Sequence, residues 1–310
     1  MFEEIIFPAE PAGLYDPLRY MIGIGGKRIR PLLCLTAYGL YKSGTGPEIL
    51  EPAAALEVFH SFTLIHDDIM DRSPRRRGVP TVWKKWNEDT AILSGDVMLI
   101  EAYKRIVKAP QFCHAEVISL FSQTAGQVCE GQQYDMEFED RDIISMDEYD
   151  MMIGLKTAVL LACSAKTGAL IAGAPKADCE ALYRYGYELG MAFQIADDYL
   201  DAYGDEKVFG KPIGGDIVNC KKSWLTIRAL EKTPSRDGFL EIFNRECPTE
   251  EARKEKIAAI KAIYDSLGVQ EEARAEVVRY SARAMEAVSG IGPDTAPLRE
   301  FAEKLVGRAR

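Results

Sequence analysis

Apolar residues recur at intervals of three and four along almost the whole of this 310-residue chain, and alternating period-two runs are rare. That spacing lines up one face of an α-helix, whereas period two would indicate strands. Good helix formers fill the long segments, and the stretches between Gly- and Pro-rich breaks are roughly 15 to 30 residues long. The sequence therefore predicts an all-α bundle of about ten or more helices. Because no linker separates two cores, we expect a single domain over residues 1–310.

The chain is acidic, with a formal net charge of -10 and an isoelectric point near 5.1. A nucleic-acid surface must be basic, so this charge balance argues against nucleic acid as a partner. An acidic protein that handles anionic substrates has to keep its cations local or recruit metal ions.

Three features indicate a cytoplasmic protein without a transmembrane segment. The seven cysteines include no Cys-x-x-Cys pair, and their odd number is typical of a reduced intracellular chain. The acidic start, Met1–Glu10, lacks the basic region of a secretory signal. The longest apolar run, Ala158–Pro175, is interrupted by Lys166, and we expect it to be too short and too polar to span a bilayer.

An acidic motif occurs twice within the apolar helical pattern, as Asp67-Asp68-Ile69-Met70-Asp71 and as Asp197-Asp198-Tyr199-Leu200-Asp201. Residues four apart lie on one helix face, so the first and fifth carboxylates of each motif point the same way. Carboxylates in apolar surroundings repel each other and resist burial unless a cation compensates them. Mg²⁺ typically takes one or two carboxylates and completes its shell with phosphate and water. The motifs therefore predict Mg²⁺ binding.

Two other interpretations of the motifs are simpler. Each could be a solvated helix face, but the same spacing twice in apolar surroundings makes that interpretation less favoured. A two-carboxylate hydrolase site is also possible, but it would not explain the cations that accompany the motifs.

Cationic residues form four groups against the acidic background: Gly25–Pro31 (GGKRIRP), Arg75–Gly78 (RRRG), Lys156-Thr157 within an apolar helix, and Lys211 followed by Lys221. Guanidinium groups bind phosphate with two parallel hydrogen bonds, and lysines act as point charges. For Arg28, Arg75 and Lys222, surface charge is the preferred interpretation. Metal-binding carboxylates and separate cations together predict an enzyme that binds two diphosphates.

These motifs together resemble the trans-isoprenyl diphosphate synthases, the polyprenyl synthetase family that includes farnesyl and geranylgeranyl diphosphate synthases. The resemblance runs from about Gly23 to Lys222 through GGKRIRP, HSFTLIHDDIMD, RRRGVPT, LKTA, and FQIADDYLD followed by GKPIGGD. It implies a helical bundle around a central cavity, a homodimer, and three Mg²⁺ ions per site with diphosphate bound. The implied reaction joins isopentenyl diphosphate to dimethylallyl, geranyl or farnesyl diphosphate by ionisation, condensation and elimination.

The resemblance also implies a role for each matched position. Binding of the isopentenyl diphosphate head group is implied for Lys27, Arg30, His60 and Arg77. Coordination of Mg²⁺ is implied principally for Asp67, Asp71 and Asp197, with Asp68, Asp198 and Asp201 close by. Binding of the allylic diphosphate is implied for Arg76, Lys156, Lys211 and Lys221. The path of the allylic cation is implied to be lined by Thr157 and Gln194. Catalysis would depend most on Lys156, Thr157, Gln194, Asp67, Asp71 and Asp197.

Product length is implied to lie between C15 and C20, with C20 favoured. Phe62 lies five residues before Asp67, about 7.5 Å along the helix, but on a helical wheel Thr63 faces the cavity more directly. Geometry alone therefore does not make Phe62 the floor of the cavity. The resemblance does, because an aromatic residue at this position with a small residue after it is similar to the short-chain synthases. A core-packing role for Phe62 stays open.

Both ends of the chain leave questions open. Fewer residues than usual precede the Gly-Gly-Lys element, so we expect a short first helix, which affects the N-terminal dimer contacts but not the chemistry. The ending Arg308-Ala309-Arg310 resembles a basic tail that folds over the site, although a frayed terminus explains it equally well.

Three other functions compete with the predicted one. A non-catalytic subunit of a heteromeric prenyl synthase typically lacks one or both acidic motifs, and both are intact here. A class I terpene cyclase shares the all-α fold but has a different second metal element and no GGKRIRP. A purely structural helical protein would need neither motif.

Overall fold

A computed structural model describes residues 5–204 and 213–307 of the chain. Its helices are α1 (Ala12–Gly23), α2 (Ile29–Gly39), α3 (Pro47–Met70), α4 (Val82–Lys85), α5 (Glu88–Ile106), α6 (His114–Glu139), α7 (Met146–Ile153), α8 (Val159–Ala172), α9 (Lys176–Tyr203), α10 (Gly215–Val218), α11 (Trp224–Lys232), α12 (Arg236–Phe243), α13 (Glu250–Leu267), α14 (Val269–Ala287) and α15 (Ala296–Val306). A π-helical turn, Gly154–Ala158, joins α7 to α8. The prediction of an all-α fold is confirmed.

The ends of several helices follow directly from local sequence. Ser145 and Glu148 cap α7 reciprocally, because each side chain accepts a hydrogen bond from the other's backbone N–H, at 3.2 and 2.8 Å. Asn87 caps α5 by accepting from the N–H of Thr90 at 2.8 Å. Gly268, with φ +66°, ends α13 and lets α14 begin at the next residue, because glycine adopts the left-handed conformation without a Cβ clash.

A short β-hairpin with two residues in each strand follows α3. Strand β1 (Arg75–Arg76) pairs antiparallel with β2 (Val79–Pro80), with Arg75 opposite Pro80. Arg77 and Gly78 between them both have positive φ, 52° and 79°. Two successive positive φ angles are typical of the tight turns that match the twist of a hairpin. The hairpin thereby turns the chain back directly after the first acidic motif.

The described chain divides into two compact units. The first comprises Met1–Gln123, Cys163–Tyr183 and Gly292–Asp294. Its core forms where α3 packs on α5 and α2, and Phe59 meets Phe121 edge to face with ring centroids 5.4 Å apart. Such aromatic pairs add to the stability gained from burying apolar area.

The second unit comprises Thr124–Ala162, Arg184–Ile291 and Thr295–Arg310. Helices α11 to α14 pack together within it. Tyr264 of α13 is fully buried, stacks on Phe239, and its hydroxyl lies 2.8 Å from that of Thr226. A buried hydroxyl must keep a partner, so this contact fixes α13 against α11.

The apolar run predicted over Ala158–Pro175 belongs to a longer helical stretch, Met146–Ala172. By length and composition alone these 27 residues could cross a membrane. In the structure, 78% of its most apolar window is buried inside the protein. Burial of this extent is that of a core helix.

Replacing Gly168 by Ala tests the packing of α8 against α2. A Cβ at Gly168 would lie 2.1 Å from the carbonyl oxygen of Cys34, which is backbone and cannot move alone. We expect Gly168→Ala to lower the free energy of unfolding by about 1–3 kcal/mol in urea denaturation.

The matched control for this substitution is Gly126→Ala in the interior of α6. A Cβ there meets nothing within 4 Å. Because alanine is the better helix former, the control should gain roughly 0.5–1 kcal/mol. A neutral Gly168→Ala would contradict the close approach of α8 and α2.

Candidate active site

The first acidic motif lies at the C-terminal end of α3, and its second aspartate already has a partner. Asp68 is 2% exposed, and both its oxygens accept hydrogen bonds from the Nε of Arg76 at 3.0 Å, with Arg76 Nη2 at 2.9 Å. Arg76 stands on the hairpin that follows the motif. By contrast, Asp67 is half-buried and Asp71 is exposed. Within this motif, therefore, Asp68 anchors the hairpin, while Asp67 and Asp71 are more accessible to a ligand.

Four arginines surround a histidine in the same unit. Burial lowers the pKa of His60 well below its usual value, and four positive charges lower it further, those of Arg30, Arg76, Arg77 and Arg28. The imidazole is therefore neutral at pH 7. The predicted head-group residues Arg30, His60 and Arg77 are thus brought together, with Lys27 exposed in the adjoining loop.

Arg30 is a buried cation that is incompletely satisfied. It is 8% exposed, and in the described parts of the chain its Nε has no hydrogen-bond partner. Burial lowers the pKa of Arg30 to about 10, with Glu57 opposing and Arg77 reinforcing the effect. A buried donor without an acceptor is costly, so an anionic ligand would be favourable at this position.

The glycine-rich loop is shaped by the approach of Arg77. Gly26 has φ +139°, and a Cβ there would lie 2.6 Å from Arg77 Nη1. Only glycine permits both the backbone conformation and the close guanidinium. Gly26, the second glycine of GGKRIRP, therefore makes space for a cation contributed by RRRG.

Two interpretations of single residues as surface charge are wrong. The Arg28 side chain is 15% exposed and forms a 2.8 Å ion pair with the buried Glu57. Lys222 is half-buried and donates to the carbonyl oxygens of Glu139 and Cys220, each at 3.3 Å. The contacts with Glu57 and Glu139 join residues far apart in sequence, and the contact with Cys220 lies within a turn. Helical spacing reveals neither kind of contact. Arg75 is exposed.

In the second unit, the π-helical turn presents Lys156 and Thr157. Lys156 Nζ donates to Asp135 at 2.6 Å, and Thr157 Oγ1 donates to Gln194 Oε1 at 3.0 Å. A π-turn inserts one extra residue and rotates the side chains that follow, and such turns are frequent at functional sites. The wide turn fits because Gly131 faces it. A Cβ at Gly131 would lie 2.3 Å from the backbone nitrogen of Lys156.

Hydrogen bonds extend from Thr157 to the second acidic motif. Gln194 Nε2 donates to Asp198 Oδ1 at 3.0 Å, while Asp198 Oδ2 accepts from the hydroxyl of Tyr149 at 2.7 Å and the N–H of Trp224 at 2.8 Å. Burial raises the pKa of Asp198 to about 6, although these donors oppose the shift. Asp198 is thus occupied by protein donors, as Asp68 is in the first motif.

A further carboxylate joins this motif, and the sequence analysis assigned it no role. Asp201 Oδ2 accepts from the N–H of Asp216 at 2.9 Å. Burial raises the pKa of Asp216 well above its usual value, and the charges of Asp201 and Asp198 raise it further, while Lys221 opposes them. Asp216 ends the GKPIGGD segment, and the place of that segment soon after the second acidic motif was a signal for it. Asp135, the partner of Lys156, was missed as well, and its place in α6 carried no comparable signal.

The donor chemistry of the motifs fits Mg²⁺ only together with a ligand. Within residues 5–204 and 213–307, no three His, Cys, Asp or Glu side chains are grouped closely enough to hold a metal ion by themselves. Mg²⁺ usually takes one or two carboxylates and fills its remaining positions with phosphate oxygens and water. Accessible carboxylate oxygens such as those of Asp67, Asp71 and Asp197 suit that role. Lys211 and Arg308–Arg310 lie outside the described residues.

The comparisons with known proteins agree with this chemistry. The chain matches the family model described as Polyprenyl synthetase over residues 11–261. It is 42% identical over 253 residues to a short chain isoprenyl diphosphate synthase of Methanocaldococcus jannaschii, which covers 80% of this chain and 76% of that one.

Solved structures are similar over nearly the whole chain. A crystal structure of a geranylgeranyl pyrophosphate synthase aligns with a TM-score of 0.94 and 41% identity, covering 99% of this chain and 95% of that chain. A polyprenyl synthase of Caulobacter crescentus CB15, complexed with calcium and isoprenyl diphosphate, aligns with a TM-score of 0.85 and 28% identity, covering 97% and 90%.

Replacing Tyr149 by Phe tests the environment of Asp198. Losing this donor raises the pKa of Asp198 further above its unfolded value, so the ionised form becomes less stable in the folded protein. The destabilisation therefore grows as the pH rises through about 6. In urea denaturation with EDTA we expect a loss of about 1.5–3 kcal/mol at pH 8, and a smaller loss at pH 5.

Tyr185→Phe is the matched control. Its hydroxyl donates to the neutral carbonyl of Leu298 at 2.6 Å, so its loss, about 0.5–1.5 kcal/mol, should be the same at both pH values. Equal losses at pH 5 and pH 8 for Tyr149→Phe would contradict a raised pKa for Asp198.

Proposed function

The chain belongs to the polyprenyl synthetase family, and from this premise we propose the roles of its site residues, its product and its assembly. It is a prenyltransferase of the short-chain trans type, which joins isopentenyl diphosphate to an allylic diphosphate. One observation supports the division of roles most directly: four arginines act on neutral His60 in one unit, and in the other several carboxylates and Lys221 act on Asp216.

The isopentenyl diphosphate head group binds at the arginine cluster, to Lys27, Arg30, His60 and Arg77. A diphosphate there meets the unsatisfied Nε of Arg30 and several positive charges. Because His60 is neutral, it donates one hydrogen bond and adds no charge to an already cationic group. Direct binding to guanidinium groups needs no metal ion.

The allylic diphosphate binds with Mg²⁺, on which the family depends. We assign the metal ligands principally to Asp67, Asp71 and Asp197, with Asp201 as a further ligand and three ions per site. Asp68 and Asp198 act chiefly by holding neighbouring side chains, which their protein partners support. When bound, Mg²⁺ neutralises the diphosphate as a Lewis acid and makes it a better leaving group.

The chain's own cations act on the same leaving group. Arg76, Lys156, Lys211 and Lys221 hold the diphosphate as the allylic C–O bond breaks and its electron pair leaves with oxygen. The oxygen dipoles of Thr157 and Gln194 face the allylic cation, and apolar surroundings exclude water that would quench it. The isopentenyl double bond then forms the new C–C bond, and the proton lost from the adduct passes to the released diphosphate.

C20 is the product we favour over C15. Phe62 is 8% exposed and packs against Phe59 and His66, with ring centroids 5.5 and 4.9 Å away. An aromatic ring fixed on two sides can limit a growing chain. Thr63, the other candidate, donates its hydroxyl to the carbonyl of His60 at 2.8 Å within its own helix.

We further propose a cytoplasmic homodimer without a transmembrane segment. Ile92, Leu93 and Ile100 are exposed on α5, and their spacing places them on one helix face. A row of exposed apolar side chains supports contact with a second copy. The burial of Met146–Ala172 supports a core role for the one stretch apolar enough to span a membrane among the described residues. Family membership offers no support for the alternatives of a terpene cyclase or a non-catalytic subunit.

The activity is tested with labelled isopentenyl diphosphate, each allylic primer and Mg²⁺, followed by product sizing. Asp67→Asn and Asp197→Asn should each lower kcat by a factor on the order of 10²–10³. The double variant should lose little more than either single variant, because both residues act on one leaving group. Asp89→Asn, at an exposed position on α5, should be unaffected. Multiplying losses in the double variant would contradict a shared diphosphate.

Phe62→Ala tests the control of product length. Removing the ring opens space along α3, so we expect longer products on chromatography with kcat changed less than about threefold. Thr63→Ala tests the other candidate in the same assay, and because its hydroxyl bonds within its own helix we expect a smaller change in product length. An unchanged product distribution for Phe62→Ala would assign that ring to core packing alone.

A further inference from the structure

A lysine of α13 is buried in the second unit, and the proposed reaction has no use for it. Lys256 is 1% exposed. Its Nζ donates to the carbonyl oxygens of Arg245 at 3.1 Å and Val218 at 3.3 Å, lies 3.2 Å from Cys220 Sγ, and stands over the Phe243 ring at 5.6 Å. Removing an ammonium group from water is costly unless hydrogen bonds replace the water. The several acceptors around the Lys256 ammonium indicate that it holds neighbouring segments in place.

The acceptors lie at the ends of two helices. Val218 is the last residue of α10, and Arg245 follows the end of α12. Carbonyl groups at helix C-termini lack intrahelical donors and carry partial negative charge, so a cation is stabilised there. Lys256 therefore ties the C-terminal ends of α10 and α12 to α13.

The same ammonium stabilises a strained residue. Cys220 has φ +54°, a left-handed conformation that costs energy for any residue with a Cβ. Its thiol donates to the carbonyl of Phe243 at 3.1 Å and accepts from Lys256. Side-chain contacts on both sides thus hold Cys220 in a conformation that it would not adopt alone.

The turn that Cys220 forms leads directly to site residues. The next residue is Lys221, whose N–H donates to the carbonyl of Asp216 at 2.9 Å. Three residues further on, the N–H of Trp224 donates to Asp198. The neighbouring Ile257 supports the other end of the segment, because a Cβ at Gly214 would lie 2.7 Å from its side chain. Helix α13 thus fixes both ends of the segment that carries Asp216 and Lys221.

We propose that Lys256 is a positioning residue: by holding Val218 and the strained Cys220, it keeps Lys221 beside the carboxylates and so sets the affinity for the diphosphate. This inference rests on the role proposed above for Lys221. Lys256 does not touch the diphosphate itself, and its effect passes entirely through the backbone of the turn.

The test compares Lys256→Met, which keeps length and removes charge, with Lys254→Met at an exposed position of the same helix. Binding of inorganic pyrophosphate with Mg²⁺ is measured by isothermal titration, alongside KM, kcat and thermal unfolding. We expect Lys256→Met to weaken pyrophosphate binding and raise KM for the allylic diphosphate about tenfold, and to lower kcat as well, because Lys221 also acts on the leaving group. Lys254→Met should match the wild type.

Two substitutions at Cys220 isolate the strain. Cys220→Ala keeps the strained φ without the thiol contacts, so it should weaken pyrophosphate binding. Cys220→Gly adopts a positive φ freely, so it should bind like the wild type and restore affinity to Lys256→Met in the double variant. These two variants test the inference even if Lys256→Met does not fold.

The results separate this inference from the proposed function. A Lys256→Met protein that melts earlier but keeps its pyrophosphate affinity and KM would overturn the positioning role, as would equal affinities for Cys220→Ala and Cys220→Gly. Absence of prenyl transfer by the wild-type enzyme would instead contradict the proposed function. The pyrophosphate titration would still test whether Lys256 sets the affinity for the diphosphate.

Discussion

Like charges gather twice in this protein, and holding them together in partly buried positions is the constraint on which the rest depends. Four arginines surround His60 in one unit, and Asp198 and Asp216 lie among further carboxylates in the other. Water would normally disperse such groups, because burial and mutual repulsion both oppose charge. Packed helices prevent the dispersal, and each cluster is only partly neutralised by groups such as Glu57 and Lys221. A ligand of opposite charge would therefore be stabilised at either cluster.

The two acidic motifs share one structural feature, the hydrogen bonding of their second aspartate. In each, the second aspartate is buried and receives hydrogen bonds from within the protein: Asp68 from Arg76, and Asp198 from Tyr149 and Trp224. These bonds fix the side chains around the motif and reduce the number of accessible carboxylates. Fewer accessible oxygens suit Mg²⁺, which takes part of its shell from phosphate and water. The DDxxD spacing therefore combines a buried, hydrogen-bonded aspartate with two aspartates that are less buried than it.

Small residues give the second unit its unusual backbone. The π-helical turn that carries Lys156 and Thr157 is wider than an α-helix, and Gly131 and Gly190 leave space for it. A Cβ at Gly190 would lie 2.5 Å from the Cα of Ala158. These contacts come from helices distant in sequence, so the position of Lys156 depends on glycines that have no chemistry of their own. Packing and site geometry are inseparable here.

Much of the fold and site followed from local pattern. Three-and-four spacing determined an all-α chain, and the motifs identified the aspartates and most of the cations, because a helix fixes the relative directions of residues four apart. The sequence alone could not distinguish Arg28 from surface charge, since its partner Glu57 is 29 residues away.

Only the tertiary structure decided how each of these groups behaves. It made His60 neutral, left Arg30 Nε without a hydrogen-bond partner among the described residues, paired Lys156 with Asp135, and brought Asp216 to the second motif. The physical reason is that pKa values and hydrogen bonds depend on burial and on neighbours from other segments. Sequence spacing sets which residues share a helix face, whereas packing sets what that face meets.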